Sequence, residues 1–178
     1  HQLVEEFMIL ANVAAARALE DKEAPCLYRI HDNPSPDRLE GTRDFLKELG
    51  YTLPKSENIK SKNLNQVLLK SSGRDDKSLI HTLILRTQSD ASYNPENIGH
   101  FGLALEKYAH FTSPIRRYAD IIVHRSLVKH YNLGKGGLTD HETDVLDDIA
   151  THISQTERRS MIAERDSMDR FTAQYLST

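Results

Sequence analysis

Helical periodicity at the start of the chain constrains the fold more than any other feature of the sequence. Apolar side chains recur there at the spacing of one helix face, namely Val4, Met8, Ala11, Ala15 and Ala18. This pattern predicts a helix from about residue 2 to residue 22, with its alanine-rich end packed closely against another element. The chain opens in helical rhythm with neither an N-cap residue nor an initiator methionine, so we expect a fragment of a longer protein.

The remaining segments alternate helix signals with short strand candidates. Ser35 followed by Pro36 predicts the start of a helix that runs to Glu48 and is closed by Gly50. Further helices are predicted at about 64–72, around residues 79–84, from residue 113 or 114 to about 131, and from 140 toward 175 with a kink or break. One of these helices has a face predicted to be buried, formed by Leu79, Ile80, Leu83 and Ile84. Short strands are predicted at 27–30 and 101–105, and a polar loop at 54–63.

The composition of the chain is that of an ordinary globular protein. Its 178 residues fit one domain, 38% of them are hydrophobic and 28% charged, and no run approaches the roughly 18 apolar residues of a membrane span. We therefore expect a helix-rich α+β fold, with long helices packed around a few short strands.

The single cysteine and the net charge further limit which classes of protein the sequence can belong to. Cys26 is the only cysteine and cannot form an internal disulfide, so we interpret it as a small core residue rather than a catalytic thiol, and expect a cytoplasmic protein. The net charge of −3 gives no support to nucleic-acid binding, so any contact with RNA requires a local basic patch.

The pentapeptide at residues 113–117, Ser-Pro-Ile-Arg-Arg, is the strongest candidate for a binding site. Ser113 and Pro114 predict a helix start, and Arg116 and Arg117 would follow in its first turn, where a helix usually favours acidic residues. Free backbone amides beside two guanidinium groups would bind a phosphate. The alternative is that one arginine pairs with Asp120 or another carboxylate and the other is solvated.

Other polar residues leave a functional and a structural interpretation open. His100 and His110 are interpreted as hydrogen-bonded structural residues rather than as ligands or acid–base groups. Asn12 lies seven residues after Glu5 on one helix face, where the two side chains either bind ribose hydroxyls or line a solvated edge. No carboxylate cluster in the sequence suits a two-metal hydrolase site, and no phosphate-binding loop, zinc-protease or serine-hydrolase motif is present.

The string HFGLALEKYAHFTSPIRRYADIIVHR, at residues 100–125, closely resembles the catalytic domain of the ribonuclease II and ribonuclease R family. Two further segments agree with it, LVEEFMILANVAAA at 3–16 and TERRSMIAERD at 156–166. The resemblance therefore covers the whole chain. It implies that residues 1–178 are the C-terminal portion of a single RNB catalytic domain, whose N-terminal portion, with the metal-binding aspartates, is absent.

The resemblance also implies an activity and a set of site residues. The family consists of processive, Mg²⁺-dependent hydrolases that remove nucleotides from the 3′ end of single-stranded RNA and release 5′-monophosphates. By this resemblance Arg116 stabilises the reacting phosphate, Glu5 contacts a ribose hydroxyl, and Glu164 lies near the 3′-terminal nucleotides. Arg117 and Tyr118 would support Arg116 or contact the RNA backbone.

The same resemblance assigns no metal ligand to this chain, since the catalytic aspartates lie upstream in the family. We therefore expect the chain alone to be inactive and to need the missing half of its domain and flanking RNA-binding domains. Two alternatives stay open: a non-catalytic RNA-binding or regulatory remnant that uses the Arg116 site for phosphate, and a helical interaction domain without nucleic acid.

Overall fold

The computed structural model describes residues 1–55 and 59–177, and helices dominate this part of the chain. Its α-helices are α1 (Gln2–Glu20), α2 (Pro36–Glu48), α3 (Ser61–Ser71), α4 (Lys77–Thr87), α5 (Tyr118–His130), α6 (Asp140–Asp144) and α7 (Leu146–Leu176). Two strands, β1 (Tyr28–Ile30) and β2 (Ser92–Asn94), form a two-stranded sheet, and a short 3₁₀ helix covers Phe101–Leu103. The predicted helix-rich α+β class is confirmed. The part of the predicted polar loop at residues 56–58 lies outside the described residues.

The chain divides into two compact units, and each has its own core. The first unit consists of His1–Tyr28, Ser92–Glu96 and Ala109–Thr178, and the second of Arg29–Ala91 and Asn97–Tyr108. Helices α1, α5, α6 and α7 belong to the first unit, and α2, α3 and α4 belong to the second. Among the described residues, no helix combines the length and the apolar character that crossing a membrane requires.

Small side chains bring the helices of the first unit together. Helix α1 packs on α5, where Ala16 and Leu19 of α1 and Ala119 of α5 are at most 1% exposed. The N-terminal part of α7 packs on β2, and the backbone N–H of Tyr93 donates to Ser154 Oγ at 3.0 Å. Burial of α7 is confined to its N-terminal part, because residues 158–176 of the helix are all exposed. The close packing predicted for the alanine-rich end of α1 is confirmed.

The face of α1 that is buried differs from the predicted one. Val4 and Met8 are exposed, at 60% and 37%, whereas the buried positions are Asn12, Val13, Ala15, Ala16 and Leu19. Spacing alone placed Val4 on the core face. The first seven residues of α1 are instead all exposed, and its fully buried positions begin at Asn12.

The core of the second unit is formed by α2, α3, α4 and the segment after α2. Its buried members are Leu46, Tyr51, Leu64, Val67, Ile80 and Ile84. Each large aliphatic side chain buried in this way contributes about 1.5–3 kcal/mol to folding. A buried hydrogen bond between Thr42 and Thr87 hydroxyls, 2.7 Å long, joins α2 to α4. The four-residue face predicted for α4 is too wide, because Leu79 is 50% exposed.

Local signals for helix ends agree with the structure in two places. Helix α2 begins at Pro36 after Ser35 and ends before Gly50, whose φ of +83° suits a residue without a side chain. Thr139 caps α6 by a capping box with Glu142. The kink or break predicted within the helix from 140 toward 175 is confirmed at Val145, which separates α6 from α7.

The strand predicted at 101–105 is wrong. His100 and Leu105 exchange backbone hydrogen bonds of 2.8 and 3.2 Å, which closes the intervening residues into a tight turn containing the 3₁₀ helix. The turn is fixed from outside, because the Gly102 N–H donates to His31 Nδ1 at 2.9 Å. A side chain at Gly102 would place its Cβ 2.6 Å from that nitrogen, so the glycine is required by close packing.

Candidate functional site

Residues 111–117 form a loop that is held by side chains of α1 and α5, and we call it the anchored loop. It lies in the first unit and leads directly into α5 at Tyr118. Three side chains hold its backbone, those of Asn12, Asp120 and His124.

Asp120 is the buried centre of these contacts. Its side chain is 0% exposed and accepts two hydrogen bonds from the Arg117 guanidinium, at 2.7 and 2.8 Å, and one from the Ser113 N–H at 2.7 Å. A buried carboxylate is tolerated only when it is paired and hydrogen-bonded, and here both oxygens are engaged. The structure therefore selects the alternative in which one arginine pairs with Asp120.

The buried side chain of Asn12 forms hydrogen bonds within the protein and is not available to a ligand. Its side chain is 3% exposed, and its Oδ1 accepts hydrogen bonds from the N–H groups of Phe111 at 2.8 Å and Thr112 at 3.2 Å. The interpretation in which Asn12 joins Glu5 in binding ribose hydroxyls is therefore wrong. The two share a helix, but Asn12 is turned toward the anchored loop and Glu5 is exposed.

Three histidines form structural hydrogen bonds, and one of them, His124, holds the anchored loop. His124 Nε2 donates to the Phe111 carbonyl at 2.8 Å, and its ring stacks on the Phe111 ring at 4.1 Å and 9°. His110 Nδ1 is 2.8 Å from the Tyr93 hydroxyl, and in the second unit His100 Nδ1 accepts from the Leu103 N–H at 3.2 Å. The interpretation of His100 and His110 as hydrogen-bonded structural residues is confirmed.

Arg116 is exposed on the anchored loop, outside any helix. The Ser113 carbonyl accepts hydrogen bonds from the N–H groups of Arg116 and Arg117, which forms a turn, and the extended Arg117 backbone then precedes α5. The predicted helix start at residue 113 or 114 is wrong, and so is the anion site built on its first-turn amides. Asp120 accepts hydrogen bonds from the Ser113 N–H and the Arg117 guanidinium, so neither group is free to bind an anion. No described residue forms a hydrogen bond or ion pair with the Arg116 side chain.

The structure does not bring the remaining predicted site residues into contact with Arg116. Glu5 lies on α1 and Glu164 on α7, both exposed, and within the described chain no hydrogen bond or ion pair joins either of them to Arg116. Tyr118 is 47% exposed at the first position of α5. The three charged side chains therefore remain accessible to a ligand.

A mostly apolar groove lies beside Tyr118, and sequence reasoning missed it. It has a volume of about 570 Å³, and α7 supplies the rest of its lining, namely Asp148, Ile149, His152, Ile153 and Thr156. The signal was present in the sequence, since Ile149, Ile153 and Thr156 recur at helical spacing. The tyrosine therefore has an apolar surface on one side and the anchored loop on the other.

Cys26 has the properties of a core residue. It is 3% exposed, and burial raises the pKa of its thiol to about 12, with a further contribution from the charge of Glu20. A thiol that stays protonated at neutral pH is a poor nucleophile. The interpretation of Cys26 as a small core residue is confirmed.

The carboxylates of this chain do not fit a magnesium centre on their own. Across residues 1–55 and 59–177, no group of three or more His, Cys, Asp or Glu side chains is placed to hold a metal ion. Magnesium prefers an octahedral set of oxygen ligands that includes carboxylates. No step of a reaction can therefore be assigned to a metal held by these residues.

Comparisons with known proteins cover almost the whole chain. A family model described as the RNB domain matches residues 1–132. Ribonuclease R of Aquifex aeolicus is 41% identical over 178 residues, which is 99% of this chain but 25% of that protein. The chain thus spans about a quarter of the length of this relative.

Solved structures share the fold. The structure of Mycoplasma genitalium RNase R in complex with ribose-methylated single-stranded RNA matches with a TM-score of 0.84 and 30% identity, covering 95% of this chain and 27% of that one. Yeast Ssd1, described as a pseudonuclease, matches with a TM-score of 0.71 and 25% identity, covering 84% and 19%. The helix-rich fold described above is therefore that of this part of RNase R.

Proposed function

This chain belongs to the RNB domain family, and from that premise we propose that it is part of a 3′→5′ exoribonuclease that processively hydrolyses RNA to 5′-monophosphates. The observation that carries the proposal is the 41% identity to a ribonuclease R over 99% of the chain. That alignment takes in the anchored loop as well as α1 and α7. The substrate we propose is the 3′ end of single-stranded RNA, the kind of nucleic acid bound by the Mycoplasma genitalium enzyme.

Arg116 is the group we propose to act on the reacting phosphate. Its side chain is exposed on a loop whose backbone is fixed by buried partners, so the guanidinium is accessible while its base is held in place. A guanidinium presents several donors in one plane and matches the oxygens of a phosphate. Placed at the scissile phosphate, it would stabilise the negative charge that develops there in the transition state.

Glu5 and Glu164 are the groups we propose to contact the 3′-terminal nucleotides, and Tyr118 is proposed to support Arg116 or to contact the RNA backbone. Carboxylates accept hydrogen bonds from ribose hydroxyls, which is how a protein distinguishes RNA from DNA. All three side chains are exposed, as a contact to RNA requires. Arg117 supports the loop through Asp120, and its contact with the RNA backbone stays a prediction.

The magnesium of this reaction would be bound by ligands outside the chain. We propose that residues 1–178 are the C-terminal portion of one RNB catalytic domain and work with its N-terminal half and flanking RNA-binding domains, in the cytoplasm. The chain alone should then leave an oligoadenylate intact in the presence of Mg²⁺, whereas a chelator should abolish the activity of the intact protein. Steady Mg²⁺-dependent digestion by the 178-residue chain would contradict this part of the proposal.

The test of the proposed function uses the intact protein and end-labelled RNA. Attack from the 3′ end releases a 3′ label at once as a monophosphate and keeps a 5′ label on the shortening strand. Arg116→Ala should lower the single-turnover rate about 100-fold or more with little change in RNA affinity. Arg86→Ala, which removes another exposed arginine in α4, is the matched control. Equal losses of rate and affinity in Arg116→Ala would contradict the role.

A second candidate is a non-catalytic RNA-binding protein, which the similarity to the pseudonuclease Ssd1 favours. It would use Arg116 for phosphate binding alone. A group of closely spaced aspartates in the upstream coding sequence would favour the enzyme, and its absence the binding protein. Salt-sensitive RNA binding would separate both from a helical interaction domain.

A further inference from the structure

Asn12 connects two parts of the chain that the proposed function uses together. It lies on α1, the helix that carries Glu5, and its buried Oδ1 accepts hydrogen bonds from the N–H groups of Phe111 and Thr112 at 2.8 and 3.2 Å. These two residues open the loop that carries Arg116. One amide side chain therefore fixes the position of that loop relative to α1.

The other contacts that hold the loop come from α5 and from the loop itself. The Asp120 carboxylate accepts from the Ser113 N–H and the Arg117 guanidinium, and His124 donates to the Phe111 carbonyl. The Ser113 carbonyl accepts from the N–H groups of Arg116 and Arg117. Because no described residue holds the Arg116 side chain, the place of its guanidinium follows from that of the loop backbone.

We infer that Asn12 is a positioning residue for the reaction and that it fixes the position of Arg116 relative to Glu5. This inference rests on the proposed function. It differs from a purely structural role, because Asp120 and His124 reach the loop from α5, the helix that the loop itself enters, whereas Asn12 reaches it from α1. Losing the Asn12 acceptor would free two adjacent N–H groups and let the loop shift against α1. A displacement of about 1 Å at a catalytic group lowers the rate of the chemical step about 100-fold.

The test compares three variants of the intact protein. Asn12→Leu keeps the number and branching of the side-chain heavy atoms, with a larger volume, and removes the acceptor, whereas Asn12→Asp keeps an acceptor oxygen at the same place. Ser126→Ala is the matched control, because it removes a buried hydrogen bond from α5 to the Pro25 carbonyl, away from the loop. For each, the single-turnover rate of RNA digestion and the dissociation constant for a single-stranded oligonucleotide are measured, with amide hydrogen exchange as a check on folding.

We expect Asn12→Leu to lose about 100-fold in rate with little change in RNA affinity, and Asn12→Asp to recover most of that loss. Amide exchange should become faster at Phe111 and Thr112 and stay slow at Ile122 in the core of α5. If Asn12→Leu keeps the rate of Ser126→Ala, or if its slow exchange at Ile122 is lost as well, the inference is wrong while the proposed function stands. If the wild-type protein does not digest RNA, the proposed function fails, and the inference fails with it.

Discussion

The substitution Asp120→Asn removes the negative charge from the buried centre of the anchored loop. The asparagine keeps one acceptor oxygen for the Ser113 N–H. Its NH₂ group, however, would face the Arg117 guanidinium, and two hydrogen-bond donors cannot bond to each other. One of the two charge-assisted hydrogen bonds is lost, at about 1.5–3 kcal/mol, and the other falls to about half its strength. The free energy of unfolding should therefore fall by about 2–4 kcal/mol. Arg117 is 21% exposed, so rehydration of its guanidinium favours the lower half of that range.

The measurement is urea unfolding of the purified chain, followed by far-ultraviolet circular dichroism. Asp140→Asn is the matched control, because Asp140 forms an ion pair of 2.7 Å with Lys129 in the same unit but is 95% exposed. Exposed ion pairs contribute little, so the control should lose much less stability than Asp120→Asn. Equal losses of stability in the two variants would refute the claim that burial is the reason why the Asp120 carboxylate stabilises the fold.

Two further predictions concern the turn at residues 100–105. Burial, aided by the charges of His31 and Arg29, lowers the pKa of His100 from 6.5 to about 4, so the unfolded chain binds a proton before the folded chain does. The stability that this lowered pKa provides is complete above pH 6.5 and is lost as the pH falls toward 4. The urea midpoint of His100→Gln should therefore change less between these pH values than that of the wild type. Equal changes in the two proteins would contradict the lowered pKa of His100. Gly102→Ala sets a Cβ 2.6 Å from His31 Nδ1 and should cost about 1–3 kcal/mol of stability, whereas Gly41→Ala in α2, with nothing within 4 Å of its Cβ, should stabilise by about 0.5–1 kcal/mol. A Gly102→Ala variant as stable as the wild type would contradict the close packing.

The helix ends that could be predicted from the sequence are those set by neighbouring residues. The Ser35-Pro36 start of α2 and its end before Gly50 depend on backbone groups within a few positions. The capping box of Thr139 and Glu142 is equally local. Such signals act within a few positions of the helix end. Pro36 suits the first turn by its fixed φ, Gly50 by its positive φ, and Thr139 by accepting from the Glu142 N–H, whereas Ser35 forms no side-chain cap hydrogen bond.

The loop of the candidate site could not be predicted in this way. Ser113 and Pro114 form a good local start for a helix, but the Ser113 N–H is held by Asp120 and the two preceding N–H groups by Asn12. Nothing near residue 113 in the sequence indicates that Asn12 will be its neighbour. The pairing of one arginine with Asp120 was an alternative that the sequence offered, since Asp120 lies three residues after Arg117, and the role of Arg116 stays a prediction.

The distance along the chain between Asn12 and the loop it holds has a consequence for synthesis. The two ends of that hydrogen bond are 99 residues apart, whereas the residues 29–91 between them build most of the second unit. A ribosome adds about 5–20 residues per second, so α1 leaves the exit tunnel roughly 5–20 s before α5 can cover it. During that interval the buried face of α1, which includes Val13 and Leu19 beside its alanines, has no α5 to pack against.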